Sequence, residues 1–230
     1  MKRNVLVTGA AGSLGRAAVE KFSREGYNVI ATVAPGEVPA YDVPENVRVF
    51  SVNLQDEKST DEFVVSALLD FQHVDVALFL VGGFASGDIS ATTGADLKKM
   101  ISLNFETAYF ASRRIFLQML SQPRGGRIVF VGAKPGLEPE AGTKFLAYSL
   151  AKSLLFKFAN MLNAEGRGKN VVSSVIVPST IDTRANRAQM PDANFSNWVK
   201  PEQIADIMAF LTSPEADPLS GTVMKVYGNA

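Results

Sequence analysis

The stretch that decides the fold is Val5-Leu6-Val7-Thr8-Gly9-Ala10-Ala11-Gly12-Ser13-Leu14-Gly15, close to the start of the 230-residue chain. A short apolar strand leads into a glycine-rich turn, and a helical pattern follows over residues 16–23. Gly9 permits a sharp exit from the strand, Gly12 lets the backbone approach a pyrophosphate, and Gly15 allows the helix to pack against the strand. The amides at the start of the helix, at Ser13 and Leu14, would then face the anion. The stretch predicts a dinucleotide-binding turn; the alternative is a tight turn that binds nothing.

Six further apolar, β-rich segments follow the first strand, at residues 28–33, 47–52, 74–81, 127–131, 171–177 and 223–226. Their hydrophobicity is continuous rather than alternating, which is typical of parallel strands covered on both faces. Helical patterns between them supply right-handed crossovers. We therefore predict an α/β fold in which residues 1–230 form a single doubly wound Rossmann domain, with about seven parallel strands and helices on both faces.

The composition excludes several classes of function. Basic and acidic residues number 23 each, so the chain has no basic field for a nucleic acid or a membrane. The absence of cysteine and the single histidine, His73, exclude a thiolate nucleophile, a zinc site and a Ser-His-Asp triad, and no metal is expected. No apolar run reaches the about 18 residues of a membrane span, and no signal-peptide pattern is present. We expect small-molecule partners and a cytoplasmic location.

The segment Tyr148-Ser149-Leu150-Ala151-Lys152 offers acid–base chemistry. Positions four apart share one face of a helix, so Tyr148 and Lys152 project to the same place. An ammonium near a phenol favours the phenolate, so we expect the pKa of Tyr148 to fall from about 10 toward working pH. Asn104 lies within an apolar stripe of helical spacing, where its amide must either satisfy the main chain or organise water. The tyrosine–lysine spacing also recurs by chance in helices, and its position downstream of the glycine turn favours the catalytic interpretation.

Four motifs in this order resemble the short-chain dehydrogenase/reductase family: Thr8-Gly9 with Gly15, Asn104, Tyr148 with Lys152, and Pro178-Ser179-Thr180-Ile181-x-Thr183. The resemblance covers residues 5–227. It implies a nicotinamide cofactor, with Tyr148 as proton donor, Lys152 on the nicotinamide ribose and Asn104 ordering a proton-relay water. It further implies cofactor contacts at Asn53, Leu54, Gly82, Gly83 and Pro178, and carboxamide contacts from the backbone near Ile181 and the hydroxyl of Thr183.

The chain departs from the common family pattern at informative positions. The middle glycine is one place early, at Gly12, and Phe79-Leu80-Val81-Gly82 replaces the usual Asn-Asn-Ala-Gly. Asn53 stands where an adenine-contacting aspartate is usual. Ala133 stands where the family has its catalytic serine, and alanine cannot donate a hydrogen bond. Losing one such donor lowers the rate about 10²–10³-fold, so the reduction of a simple ketone would be slow unless Thr143 or another group replaces the serine.

A serine-less subgroup, the quinonoid dihydropteridine reductases, resembles this chain over residues 74–87, 132–134 and 181–198. The resemblance implies an NAD(P)H-dependent reduction of quinonoid dihydropterin to tetrahydropterin. This substrate is already strongly electrophilic, so it needs less polarisation by the enzyme. Phe84, Ala133 and Trp198 are the expected substrate contacts.

Two other functions stay open. The first is a carbonyl or 3-oxoacyl reductase, which Ala133 disfavours; the second is a catalytically silent dinucleotide-binding protein, which Tyr148, Lys152 and Asn104 disfavour. The cofactor is NAD(H) or NADP(H), because residues 30–35 offer neither an acid for a ribose hydroxyl nor an arginine for a 2′-phosphate. Arg16 could reach a phosphate or lie in solvent.

A lid and an oligomer are also expected. Residues 185–198 follow the sixth strand, where Phe195 and Trp198 would either cover a flat heterocycle or anchor the loop. The helix beginning near Leu146 is apolar on two sides, so it needs a second partner. The family resemblance implies pairing through this helix and the one that carries Asn104, which gives a homodimer or homotetramer.

Overall fold

A seven-stranded sheet organises the protein, whose computed structural model describes residues 2–229. All neighbouring strands are parallel, and their order is β3-β2-β1-β4-β5-β6-β7. The strands are β1 (Asn4–Val7), β2 (Asn28–Val33), β3 (Val47–Ser51), β4 (Val76–Phe79), β5 (Gly126–Val131), β6 (Val171–Pro178) and β7 (Val223–Val226). The predicted doubly wound α/β fold is confirmed.

Helices cover both faces of the sheet and bury a separate core on each. One core joins the sheet to α2, α4 and α7, and the other joins it to α1 and α9. The helices are α1 (Ser13–Arg24), α2 (Glu57–Phe71), α3 (Gly94–Ile101), α4 (Thr107–Ser121), α5 (Lys134–Leu137), α6 (Pro139–Gly142), α7 (Leu146–Glu165), α8 (Arg184–Gln189) and α9 (Pro201–Leu211). Within residues 2–229, no helix is both long and apolar enough to cross a membrane.

The strand order places the ligand crevice between β1 and β4. The chain winds outward from β1 to β2 and β3, then returns to place β4 on the other side of β1. Ligands of such sheets bind outside the carboxyl ends of the strands at this point of reversal. The glycine turn after β1 and the segment after β4 both open into this crevice.

Two predicted boundaries were wrong. The fourth strand is shorter than residues 74–81, and at its carboxyl end Leu80 leaves the sheet and donates its amide to Thr8 Oγ1 at 2.9 Å. The first helix begins at Ser13 rather than at residue 16, so Ser13, Leu14 and Gly15 form its first turn. Both differences lie in the crevice, where local contacts compete with the regular hydrogen-bond ladders.

Candidate active site

The turn after β1 needs glycine at two positions. Gly9 has φ of +71°, in the left-handed region that side chains rarely adopt. A Cβ on Gly15 would collide with the Gly9 carbonyl, so only glycine lets α1 pack this close to the strand end. Gly12 closes the turn by donating its amide to the Gly9 carbonyl at 3.1 Å. The sequence-based roles of Gly9 and Gly15 agree with this geometry.

The first turn of α1 fits a dinucleotide phosphate. Its leading amides, on Ser13, Leu14 and Gly15, have no acceptor within the helix. No side chain caps this end, and no acidic residue lies in the first turn. The positive end of the helix dipole therefore meets the crevice without a competing carboxylate.

Tyr41 and Arg16 lie beside the glycine turn. The Tyr41 hydroxyl donates to the Ala10 carbonyl at 3.2 Å, and the Arg16 guanidinium lies 5.5 Å from the Tyr41 ring centroid. Arg16 also pairs with Glu20 at 2.7 Å. Arg16 is thus oriented along the first turn of the helix by Glu20 and Tyr41, and its side chain remains exposed to solvent.

The two residues after β3 that the resemblance assigns to the cofactor differ in exposure. Leu54 is buried, whereas Asn53 is exposed and its Oδ1 accepts the Gln55 amide at 3.2 Å. The side-chain amide nitrogen of Asn53 is the group that remains to face a ligand.

Gly82, Asn104 and Lys152 meet at one point past the ends of β4 and β5. Lys152 Nζ donates to the Val131 carbonyl at 2.8 Å, and Asn104 Oδ1 accepts the Gly83 amide at 3.1 Å. A Cβ on Gly82 would lie 2.7 Å from Asn104 Oδ1 and 3.0 Å from Lys152 Nζ. Gly82 thus leaves no free room for a side chain, and a buried ammonium and a buried amide border it.

Asn104 lies in a π-helical segment, Ser102–Glu106, between α3 and α4. Its Nδ2 donates to the Met100 carbonyl at 3.1 Å, and the residue is 1% exposed. The amide therefore contacts the main chain, one of the two roles expected of it, and the ordering of a water stays a prediction. The π turn was not predicted, because the apolar spacing around Asn104 also suits a regular α-helix. Single π turns within helices occur frequently at functional sites.

The expected lowering of the Tyr148 pKa was wrong. Burial raises the pKa of Tyr148 to about 12 and lowers the pKa of Lys152 to about 8. Burial disfavours the charged form of each group, and for Tyr148 this exceeds any help from the lysine. At neutral pH the phenol therefore holds its proton and the lysine is mostly an ammonium. This is the protonation state of a proton donor rather than of a base.

Aromatic side chains line the space beside Tyr148. The Phe84 ring lies 5.2 Å from the Tyr148 ring and 5.0 Å from the Phe145 ring, measured between centroids, yet Phe84 remains 56% exposed. Ala133 is buried just before α5 and brings no donor. The Thr143 hydroxyl is exposed and donates to the Glu140 carbonyl at 3.4 Å. Phe84, which the sequence assigned only through resemblance, is thus an open aromatic surface next to Tyr148.

The segment after β6 forms a loop with fixed ends. Pro178 ends β6, and Ile181 pairs with Val199 in an isolated parallel bridge. Thr183 caps α8, its hydroxyl accepting the Asn186 amide at 3.1 Å. The predicted lid, residues 185–198, lies between the two residues of this bridge.

The lid is held together by its own side chains. Arg187 forms a two-point ion pair with Asp182, at 2.6 and 2.7 Å, and its guanidinium lies 4.8 Å from the Phe195 ring centroid. Phe195 and Trp198 pack together with centroids 4.8 Å apart. These contacts suit the anchoring alternative, and the covering of a flat heterocycle by Phe195 and Trp198 stays a prediction.

Comparison with known proteins agrees with this architecture. Residues 3–194 match the sequence profile of the family described as short chain dehydrogenase. The chain is 28% identical to a dihydropteridine reductase of Dictyostelium discoideum over 98% of this chain and 94% of that protein. It is 26% identical to a 3-oxoacyl-[acyl-carrier-protein] reductase of Salmonella typhimurium over 97% and 95%.

A solved structure described as ElxO with NADP bound has the same fold. It superposes with a TM-score of 0.90 over 99% of this chain and 98% of that one, at 22% identity.

Proposed function

Because the chain belongs to the short-chain dehydrogenase family and is an NAD(P)-dependent oxidoreductase, we propose that it reduces quinonoid dihydropterin to tetrahydropterin. One observation carries the proposal. Ala133, buried at 4% exposure, stands where the family pattern has a hydroxyl donor. A site without that donor suits a substrate that is electrophilic on its own, and quinonoid dihydropterin is one, because reduction restores an aromatic ring. The resemblance to a dihydropteridine reductase supports the same substrate.

The proton comes from Tyr148. When bound, the nicotinamide cofactor supplies the hydride, and the reaction consumes one NAD(P)H and one proton per tetrahydropterin formed. With its pKa near 12, Tyr148 is protonated at neutral pH and can donate to a ring nitrogen of the substrate. Solvent then returns a proton to the phenolate, and the nearby ammonium of Lys152 stabilises that anion while it lasts.

The remaining site residues hold the reactants. Lys152 would bind the nicotinamide ribose, and Asn104 would order the water that returns the proton. The backbone near Ile181 and the Thr183 hydroxyl would hold the carboxamide. Lys152 lies on α7, and Asn104 lies in the π turn. Ile181 and Thr183 follow β6, at the bridge to Val199 and at the start of α8, so ordered elements position all four contacts.

Phe84 offers a stacking surface for a flat heterocycle. Its ring is open to solvent on one side and packs edge-on against Tyr148 on the other. A planar pterin stacked there would gain offset aromatic contact and bring its reducible ring beside the phenol. Trp198, the last residue of the lid, would cover the face of the substrate opposite Phe84.

A second candidate is the reduction of a carbonyl or 3-oxoacyl thioester. The resemblance to a 3-oxoacyl reductase favours it. A developing alkoxide, however, needs a second donor, and Ala133 provides none. Thr143 would have to give up its contact with the Glu140 carbonyl to replace it. We therefore place this activity second.

The enzyme would act in the cytoplasm as a homodimer or homotetramer. The helices α4 and α7 expose several large apolar side chains: Tyr109, Leu117, Leu150, Leu154 and Met161. An aromatic cluster joins these helices, with Tyr109 5.5 Å from Phe158 between centroids. A second copy of the chain would cover this face. Light scattering at micromolar concentration should give at least twice the monomer mass, and a monomeric mass would contradict this assembly.

The substrate is tested by a turnover screen of the purified protein. NADH and NADPH are each offered with quinonoid dihydropterin, a 3-oxoacyl thioester and a panel of simple ketones. We expect the highest kcat/KM with the pterin. A higher kcat/KM for a ketone or thioester would refute the proposed substrate and point to another donor, with Thr143 examined first.

A further inference from the structure

The segment that follows β7 contacts loops on three sides of the site. The Ser179 hydroxyl, in the segment after β6, donates to the Tyr227 carbonyl at 2.7 Å. The Asn229 amide donates to the Asn197 carbonyl, within the lid, at 3.3 Å. The Tyr227 hydroxyl donates to Glu138 Oε1, in the loop after β5, at 2.9 Å. One short segment therefore joins the expected carboxamide contacts, the lid and the loop that begins at the substrate position.

The contact between Tyr227 and Glu138 has further support. The same Glu138 oxygen accepts Lys225 Nζ at 2.8 Å, and Lys134 Nζ lies 4.9 Å from the Tyr227 ring centroid. Burial raises the pKa of Tyr227 to about 12, whereas hydrogen bonds from Lys225 and then Tyr227 lower the pKa of Glu138. At neutral pH the phenol is protonated and the carboxylate is ionised, so the hydrogen bond is intact.

The loop after β5, which contains Glu138, also packs against the buried Lys152. Glu138 donates its amide to the Lys134 carbonyl at 2.8 Å, which closes α5. A Cβ on Gly136, within α5, would lie 2.8 Å from Lys152 Cβ, so the two backbones are in tight contact. The turn α5 thus lies between the Tyr227 contact and Lys152, and Ala133 immediately precedes it. A shift of Glu138 would be transmitted to both ends of α5.

We propose that Tyr227 is a positioning residue for the reductase reaction: its hydroxyl fixes Glu138, which holds α5 against Lys152 and Ala133 against the substrate. Tyr227 acts through Glu138 rather than by touching a reactant. The inference rests on the NAD(P)-dependent reductase activity but not on the identity of the substrate.

The first test is Tyr227→Phe, which keeps the ring under Lys134 and removes only the hydroxyl. We expect kcat/KM to fall about tenfold, the size expected for a hydrogen bond to a charged group, with the dissociation constant for NADPH within about twofold. The substrate is the one that the wild-type enzyme turns over best. The matched control is Tyr27→Phe, because Tyr27 precedes β2 at the amino end of that strand, away from the site, and its substitution should leave both values unchanged.

Variants of Glu138 separate the hydrogen bond from packing. Glu138→Gln keeps an acceptor oxygen, so it should retain more activity than Glu138→Ala. The double variant of Glu138→Ala with Tyr227→Phe should be no worse than Glu138→Ala alone, because the two groups act through one contact. Additive losses in the double variant would contradict the proposal.

A readout without turnover keeps the test independent of the substrate. Hydrogen exchange over residues 133–142, measured with NADPH bound, should be faster in Tyr227→Phe than in wild type or Tyr27→Phe. The proposal is overturned if Tyr227→Phe lowers only the thermal midpoint, or if NADPH binding weakens as much as kcat/KM. Failure of the wild-type enzyme to reduce quinonoid dihydropterin would refute the proposed substrate and leave this exchange test unaffected.

Discussion

Adding one methyl group at Gly82 should disable the site without unfolding the protein. The new Cβ would lie 2.7 Å from Asn104 Oδ1 and 3.0 Å from Lys152 Nζ. Optimal contact needs about 3.5 Å, so the amide oxygen must move by roughly 0.8 Å. The oxygen cannot move freely, because it accepts the Gly83 amide, and Nδ2 of the same side chain donates to the Met100 carbonyl.

The size of the effect follows from this displacement. A misplacement of about 1 Å at a reacting group can cost about 10²-fold in rate, so we expect Gly82→Ala to lower kcat about 10- to 100-fold. This corresponds to about 1.4–2.7 kcal/mol in activation free energy. The free energy of unfolding should fall by about 1–3 kcal/mol, as for other overpacked sites, which leaves a folded protein.

The assay is the loss of NAD(P)H absorbance with quinonoid dihydropterin, and circular dichroism reports folding. The control is Gly94→Ala at the start of α3, where an added Cβ meets no atom within 4 Å. Gly94→Ala should keep wild-type kinetics. If Gly82→Ala also kept kcat/KM within twofold of wild type, the convergence of Gly82, Asn104 and Lys152 would not be the reacting centre.

Three further predictions concern specificity and pH. Ala133→Ser should leave pterin reduction nearly unchanged and raise activity on simple ketones, because a new hydroxyl stabilises a developing alkoxide; steady-state kinetics on both substrates would show no gain for ketones if this is wrong. Ala34 is the exposed residue after β2, and Ala34→Asp should shift the ratio of kcat/KM values toward NADH, since a carboxylate accepts from the ribose hydroxyl and repels a 2′-phosphate. An unchanged ratio would count against a cofactor ribose at the end of β2. The pKa of Lys152 is lowered from 10.5 to about 8, so the unfolded chain binds more protons between these values and the folded state gains stability as pH rises through them. Denaturant titrations of the cofactor-free proteins measure this effect. Between pH 8 and 10.5, the free energy of unfolding of the wild type should rise by at most about 3 kcal/mol relative to that of Lys152→Met. If the difference between the two proteins did not change with pH, the lowered pKa of Lys152 would be contradicted.

The elements with strong local signals were predictable from the sequence. Long apolar runs gave all seven strands within a few residues, and the spacing of Gly9 and Gly15 gave the turn that only glycine can form. The same is true of Tyr148 and Lys152, which share one face of α7 because they are four residues apart. The strands, the glycine turn and the Tyr148–Lys152 pair depend on residues that are close in sequence, so they can be predicted without knowledge of the tertiary fold.

The features that the sequence did not reveal depend on contacts between distant segments. The pKa of Tyr148 depends on burial by other elements, and the spacing around Asn104 is the same for an α-helix and a π turn. Phe84 reaches Tyr148 from a loop more than sixty residues away in sequence. The contact of Tyr227 with Glu138 spans 89 residues and carries no sequence motif. Such pairings are set by the tertiary fold.

The most direct test of the central claim is the turnover of Tyr148→Phe beside its affinity for the cofactor. The substitution removes the hydroxyl that is expected to donate the proton and keeps the ring against Phe84. Acid–base catalysis contributes about 10²–10⁴-fold, so we predict at least a 10²-fold loss of kcat, with NAD(P)H binding unchanged by fluorescence titration. Retention of more than about a tenth of the wild-type rate, far above that range, would contradict Tyr148 as the proton donor.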